Sequence, residues 1–219
     1  MKVSVIIPVY NEQARINDLI RDIRSKSDCE IVICDPNGET VKSINDNSVM
    51  CVSSSKGRGI QMNTGAGKAT GDLLVFLHAD TILPDGFETE VRDVLSGYDV
   101  GAFHLEIDNR KFIFRIIEKG VSIRNRITRI PYGDQALFCT REAFEAVGGF
   151  QNISLMEDVR FMQDMKRKKK RIYLSGTPVR TSARRWEQEG FLFTCMRNWS
   201  IITLYYLGVS PNFLKRFYK

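Results

Sequence analysis

The chain has 219 residues, 43% of them hydrophobic and 26% charged, and a formal net charge of +6. That length allows one sizeable core, and the positive balance favours anionic partners: nucleotide phosphates, nucleic acid or an acidic membrane face. Five cysteines without a C-x-x-C spacing, together with only two histidines, exclude a disulfide framework, a zinc knuckle and a His-rich metal site, and fit a reducing cytoplasm.

Residues 3–9, VSVIIPV, read as a fully buried strand, with Pro8 at its end where a missing N–H costs least. Ile16, Leu19, Ile20 and Ile23 then recur at helical spacing. Residues 30–34 form a second strand, closed by the turn signal Asp35-Pro36-Asn37-Gly38. Residues 49–53 make a third strand, 57–69 a helix after a glycine-rich start, and 73–77 a fourth strand. Strands alternating with helices predict a mostly parallel sheet covered on both faces.

Beyond residue 97 the pattern changes. Residues 100–107 alternate loosely, as a more exposed or mixed strand would, and 111–126 carry Phe112, Ile113, Ile116 and Ile117 as one apolar helical face. Residues 136–140 are a short strand, followed by a helix over 141–147 that Gly148 and Gly149 stop. A helix over 156–170 ends in KRKKK, a solvated basic end with no aromatic interleaving, so nucleic acid is not the expected partner. The apolar run 191–209 holds Arg197 and Asn198 near its centre, and a charge there costs about 2.5–3.5 kcal/mol inside a bilayer. It predicts an amphipathic helix that packs on the core, with peripheral membrane contact through 191–219 as the alternative. The whole reads as one α/β domain, 1–219: a nucleotide-binding half to about residue 97, an acceptor half to 190, and a C-terminal helical segment.

Ligands of open α/β sheets sit beyond the carboxyl ends of the strands. Polar groups fall at three such ends: Tyr10, Asn11 and Glu12; Asp35; and His78 with Asp80. Any one of them can cap a turn, but three together indicate a polar ligand site. Gly65-Ala66-Gly67-Lys68-Ala69 approaches a phosphate loop but has Met62 for its first glycine and Ala69 for its Ser/Thr, so these glycines serve packing or a turn. His78 and Asp80 alternate along an extended segment and share a face, and a hard divalent ion between a carboxylate and two phosphates needs only one or two protein ligands. Glu157 and Asp158 open a helix, where the dipole favours them and where a fixed carboxylate is also a good general base. In the stretch 181–186, TSARRW, two guanidinium groups suited to phosphate stand beside an indole.

With these residues in place the chain resembles the inverting family 2 glycosyltransferases of the GT-A fold. SVIIPVYNE (4–12), Asp35, HAD (78–80), ED (157–158) and SARRW (182–186) occur in the family's order. It is similar in particular to a bacterial subgroup labelled arsenosugar-biosynthesis-type, through GRGIQMNTGA (57–66), FLHADT (76–81), PYGDQALF (131–138), MEDV (156–159), TSARRWEQEG (181–190) and NWSIITLYYLGVSP (198–211). The resemblance implies transfer of a sugar from a nucleotide-diphosphate donor, probed first as UDP-linked, to an acceptor hydroxyl of a small or lipid-linked molecule. It implies that Pro8, Tyr10, Glu12, Asp35 and Arg58 line the nucleotide pocket and that Asp80 binds Mg²⁺ or Mn²⁺, with His78 in place of the family's first Asp. Gly133, Asp134, Gln135 and Glu157 would border the sugar and acceptor, and Asp158 would be the base. Arg185 would lie on the leaving diphosphate beside Trp186. Ser182 replaces the Gln of the family's Q-x-x-R-W element, which is typical of polymer-making members, so one sugar is expected per turnover. A non-catalytic nucleotide-sugar sensor is the alternative.

Overall fold

The computed structural model describes residues 1–218; the side chains of Arg185 and Leu192 lie outside the described set. The first half alternates as its periodicity requires: β1 (Val3–Pro8), α1 (Ile16–Lys26), β2 (Glu30–Asp35), β3 (Met50–Ser53), α2 (Arg58–Lys68) and β4 (Leu73–Phe76). After β4 come a short β5 (Thr81–Ile82), α3 (Phe87–Leu95), β6 (Val100–Asp108), α4 (Phe112–Thr128), β7 (Leu137–Thr140) and α5 (Arg141–Val147). Helix α6 (Glu157–Arg167), β8 (Ile172–Ser182), α7 (Arg184–Glu189), α8 (Phe191–Tyr206) and α9 (Pro211–Leu214) complete the described chain.

All eight strands join one sheet in the order β3-β2-β1-β4-β7-β6-β8-β5. β1, β2, β3 and β4 pair in parallel, as does β6 with β8; β7 runs antiparallel to both β4 and β6. Alternation sends Val3, Val5 and Ile7 to one face, where Ile16, Leu19, Ile20 and Ile23 of α1 cover them. Ile6, Cys34, Leu74 and Phe76 face the other side, against α2, α5 and α6. Gly65 sets that second contact: a Cβ there would stand 2.5 Å from Ile6 Cγ2 and 2.7 Å from Cys34 Sγ, so only glycine lets α2 lie this close.

Two expectations change. The strand at 100–107 is mixed, as its pattern suggested, but it is buried rather than exposed, because β7 and β8 flank it. Helix α4 is rotated from the predicted face: Phe112, Ile113 and Ile116 point outward, only Ile117 of that face packs inward, and Phe114, Glu118 and Asn125 are buried. The inward face is held by polar chemistry that an apolar pattern does not reveal, since Glu118 Oε1 accepts from Ile107 N at 2.6 Å. Helix α8 packs one face on the protein, as an amphipathic helix should, with Ile201 clustered against Leu155 and Leu214. Thr194 and Ile201 are buried, whereas Phe193, Met196, Trp199 and Leu207 are exposed. Among the described residues no helix is long and apolar enough to cross a membrane.

Candidate active site

The connections leaving β1 and β4 diverge, one toward β2 and the other toward the second half of the sheet, and such a switch opens a crevice at the carboxyl edge. The loop after β1 brings Tyr10 and Glu12 to this crevice, and the loop after β4 brings His78 and Asp80. β5 then pairs with β8 through Thr81↔Thr181 and Ile82↔Arg180, and Ser182 N donates to Asp80 O at 3.0 Å. That ladder carries the start of α7 to the same edge. Burial raises the Glu12 carboxyl above its ordinary value; Arg15 and Arg184 oppose the rise and the Asp80 charge adds to it. Glu12, Asp80 and Arg184 therefore share one electrostatic neighbourhood despite their separation in sequence.

Pro8 ends β1 half-buried, and Tyr10 is exposed with Lys56 Nζ 3.7 Å from its ring centroid. Asp35 is buried and ties its own loop: Oδ2 accepts from Thr40 N at 2.8 Å and Val41 N at 3.1 Å, and Oδ1 from Asn37 N at 3.2 Å. Glu12 N donates to Thr40 Oγ1 at 3.1 Å, which fixes the first loop to the second.

A second group meets the first through His78. The residue before α6, Met156, takes a left-handed φ of 66°, a tight entry that places Glu157 and Asp158 in the first turn. Asp158 Oδ2 accepts from Gly133 N at 2.6 Å and Oδ1 from its neighbour Val159 N at 2.7 Å. A Cβ on Gly133 would lie 3.0 Å from His78 Nε2 and 3.2 Å from Asp158 Oδ2, so the missing side chain lets three segments converge. Glu157 is 3% exposed and its Oε1 lies 3.1 Å from Arg58 Nη1, at the first residue of α2. The contact is one of charge rather than an aligned hydrogen bond, since Oε1 has no hydrogen-bond partner. Burial works against the Arg58 charge, but Glu157, Tyr218, Asp158 and Asp80 outweigh it and raise its pKa further. Arg58 thus joins the Asp80 and Asp158 groups.

Asp134 sits in the 3₁₀ turn Gly133–Gln135, with Oδ1 buried and without a hydrogen-bond partner. Burial pushes its carboxyl up to about 6; Arg124 opposes this, and Asp158 and Asp80 add to it. A carboxyl near neutrality in a cleft suits proton transfer. A shallow groove of about 300 Å³ runs between α6 and the C-terminal end of α8, lined by Arg160, Gln163, Tyr205, Tyr206 and Ser210, and Tyr205 on its wall feels the Asp158 charge.

Two predicted residues are engaged elsewhere. Gln135 is buried, donating from Nε2 to Phe103 O and accepting at Oε1 from Asn125 Nδ2, each at 2.8 Å. Trp186 stands edge-on to Phe114 with centroids 5.9 Å apart, inside a small apolar cluster. Arg185 was expected at the diphosphate; its side chain lies outside the described residues. The structure adds Arg184, its neighbour in the same RRW stretch, and Arg124, whose guanidinium lies 3.5 Å from the Tyr132 ring centroid. Arg124 carries no sequence signal, because it reaches the site from α4 only through the fold. Among the described residues no three His, Cys, Asp or Glu side chains converge as a metal cage. Exposed Asp80 fits the other arrangement, in which one carboxylate shares a cation with phosphates.

No curated protein matches the chain significantly. Among solved structures, S. aureus TarS 1–349 in complex with UDP superposes with a TM-score of 0.63, at 19% identity over 83% of this chain and 60% of that one. The mannosyltransferase PcManGT from Pyrobaculum calidifontis, in complex with GDP-Man and Mn²⁺, gives 0.61 at 22% identity, over 82% and 56%. Glucosyl-3-phosphoglycerate synthase from Mycobacterium tuberculosis, with Mn²⁺, UDP and glucosyl-3-phosphoglycerate, gives 0.60 at 16%, over 81% and 70%. The chain thus spans 60% of the TarS fragment's length, and the likeness establishes the expected GT-A type of fold. A family model described as glycosyl transferase family 2 matches residues 4–151, about two thirds of the chain, from β1 through α5 and across the loops that carry Glu12, Asp35, Asp80 and Gly133. With fold, loop order and family model in agreement, the chain belongs to glycosyl transferase family 2.

Proposed function

We propose that this chain transfers a single sugar from a nucleotide-diphosphate sugar, UDP-linked in the first instance, to an acceptor hydroxyl with inversion at the anomeric carbon. The observation that carries the reading is the convergence of the β1 and β4 loops with Arg58 and Asp158 at one sheet edge. In this reading Pro8, Tyr10, Glu12 and Asp35 line the nucleoside pocket, and Arg58, Arg184 and Arg185 face the diphosphate. The acceptor oxygen bonds to the anomeric carbon from the face opposite the leaving group. Its proton passes to a carboxylate oxygen of Asp158, and the anomeric C–O bond breaks with its electron pair leaving on the nucleoside diphosphate. Backbone N–H groups hold both Asp158 oxygens in place, and each oxygen keeps a lone pair for the proton. Glu157 keeps Arg58 charged and placed. Gly133 and Asp134 border the reacting sugar, and Gln135 supports them from behind.

Asp80, with His78 beside it, would hold Mg²⁺ or Mn²⁺; the Mn²⁺ in two of the similar structures supports this. Such an ion, when bound, neutralises charge developing on the diphosphate. The finer likeness to the arsenosugar-type bacterial subgroup supports a cytoplasmic enzyme of one-sugar transfer, with residues 1–219 acting as one unit. The acceptor is a hydroxyl compound, and 191–219 supplies contact with the inner membrane face.

Calorimetric titration with UDP, GDP, CDP and dTDP, each with and without Mn²⁺, on the wild type and Asp80→Ala tests the reading. Metal-dependent binding of one diphosphate, lost in the variant, is the expected result. A folded protein that binds none of them overturns it. Binding without any turnover across a panel of donor sugars and acceptors would instead support a nucleotide-sugar sensor.

A further inference from the structure

Helix α4 has two faces of opposite kind. Phe112, Ile113, Ile116, Ile123 and Ile127 fall within an arc of about 100° at the α-helical pitch, and all are exposed, Phe112 to 77% and Ile127 to 76%. Arg115, Lys119 and Arg126 lie along one border of this stripe, also exposed. Helix α8 repeats the arrangement with Phe193, Met196 and Trp199 outward, and Leu207 just past its end is exposed too. Beyond it, exposed Phe213 and Phe217 flank exposed Lys215 and Arg216. The two helices are neighbours. Phe114 of α4 stands edge-on to Phe191, the first residue of α8, with centroids 5.9 Å apart. Tyr132, under the Arg124 guanidinium, feels Tyr206 at the far end of α8.

The charge of these segments sets them apart. Residues 110–129 and 191–219 hold eleven of the chain's 32 Lys and Arg but one of its 26 acids, Glu118, which is buried. The rest of the chain therefore carries four more acids than bases. Lys166 Nζ donates to Thr128 O at 2.7 Å, so the basic run at 166–169 begins beside the C-terminal end of the stripe. Aliphatic and aromatic side chains bordered by Lys and Arg are the composition of a face that sinks into a lipid interface and grips anionic headgroups. A second copy of the chain would bring like charge against like, and isoleucine offers a nucleic acid nothing to stack on.

We propose that the outward faces of α4 and α8 dock this protein on an anionic lipid bilayer and that its acceptor hydroxyl is borne by a membrane lipid. The second half of this rests on the glycosyltransferase reading. The groove between α6 and the C-terminal end of α8 has Tyr205 on its wall, within range of the Asp158 charge, and gives such a headgroup a way toward the base.

The test is co-sedimentation of the full chain, without donor, on phosphatidylcholine vesicles with and without phosphatidylglycerol, at low and high salt. Because it needs no turnover, it is independent of the transferase assignment. Binding should require phosphatidylglycerol and fall at least about tenfold at high salt. Ile123→Glu with Ile127→Glu on α4, and Trp199→Glu on α8, should each lower partitioning about tenfold, with UDP titration and thermal melting retained. Wild-type fluorescence needs no variant: brominated lipid should quench Trp199 and leave clustered Trp186 emitting. No binding to phosphatidylglycerol vesicles overturns the proposal, as does quenching of neither tryptophan. An α4 variant that binds like wild type overturns the two-helix surface. A dimer in sedimentation equilibrium that these substitutions dissociate would assign the face to self-association instead. With docking established, transfer to a vesicle-borne but not to a water-soluble hydroxyl is the expected specificity, and the reverse preference overturns the lipid acceptor alone.

Discussion

Gly133 N donates to Asp158 Oδ2 at 2.6 Å across 25 residues of sequence, and the place of its missing side chain lies 3.0 Å from His78 Nε2. A 3₁₀ turn, a helix start and a strand end are thereby held at one point. Gly133→Ala puts a methyl group into that gap. The His78 ring and the Asp158 carboxylate are side-chain ends that can yield a few tenths of an ångström, so the fold survives. The alignment of the base does not: transfer should slow about 10²-fold, the cost of misplacing a reacting group. The melting temperature should stay close to wild type. Steady-state kinetics and a thermal melt on the same preparation check this, and an unchanged kcat would remove the geometry from the mechanism.

Asp134 gives a pH dependence of definite sign. Its carboxyl is raised from 3.8 to about 6 in the folded chain by burial, with Asp158 and Asp80 adding and Arg124 opposing. The folded state thus holds this proton more tightly than the unfolded one, so stability is lost as pH rises from about 4 through 6. Asp134→Asn removes that loss. It should stabilise the protein on the order of 2 kcal/mol at pH 8 and by almost nothing at pH 4. Urea unfolding at the two pH values measures the difference. A stabilised variant that also transfers more slowly is the pattern of a residue kept at a cost to the fold.

Arg58 and Glu157 make a second, separable test. Glu157 is almost fully buried, and Arg58 supplies its nearest positive charge. Arg58→Ala should destabilise by about 3 kcal/mol, because it strands a buried carboxylate. Adding Glu157→Gln should recover most of that loss, since the stranded charge is then gone. Diphosphate binding should not recover, because the guanidinium facing the phosphates is still missing. Urea melts and calorimetry on the two single variants and the double variant separate the roles.

Much of this was legible in residue order. Apart from Ser4, Val3–Pro8 and Leu73–Phe76 are apolar on both faces, each is followed by polar groups, and the crevice lies where those ends meet. Ile16, Leu19, Ile20 and Ile23 form the buried stripe their spacing indicated. Legibility stops where a segment has two candidate faces. Helix α4 has an aliphatic stripe stronger than its buried one, and the buried side is chosen by Glu118 capping the Ile107 N–H and Asn125 bonding Gln135. Hydrophobic spacing cannot register either contact. Arg184 was visible only as half of a pair, because the pairing of β5 with β8 is what brings its charge to the Glu12 and Asp80 loops. The partnerless Oδ1 of Asp134 is a property of three-dimensional burial and has no counterpart in sequence.

Gln135 separates a residue that touches sugar from one that shapes the turn beneath it. Its side chain joins α4 to β6 through Asn125 Nδ2 and Phe103 O, and Tyr132 N also donates to its Oε1 at 3.3 Å. Gln135→Ala leaves those groups buried without partners, at a cost of about 1–3 kcal/mol for each that water cannot reach. Stability in urea should therefore drop by several kcal/mol. If the side chain acts only as a support, diphosphate affinity should change less than about threefold and the loss of transfer should follow the fraction unfolded. A well-folded Gln135→Ala with a raised donor KM would instead place this amide against the sugar.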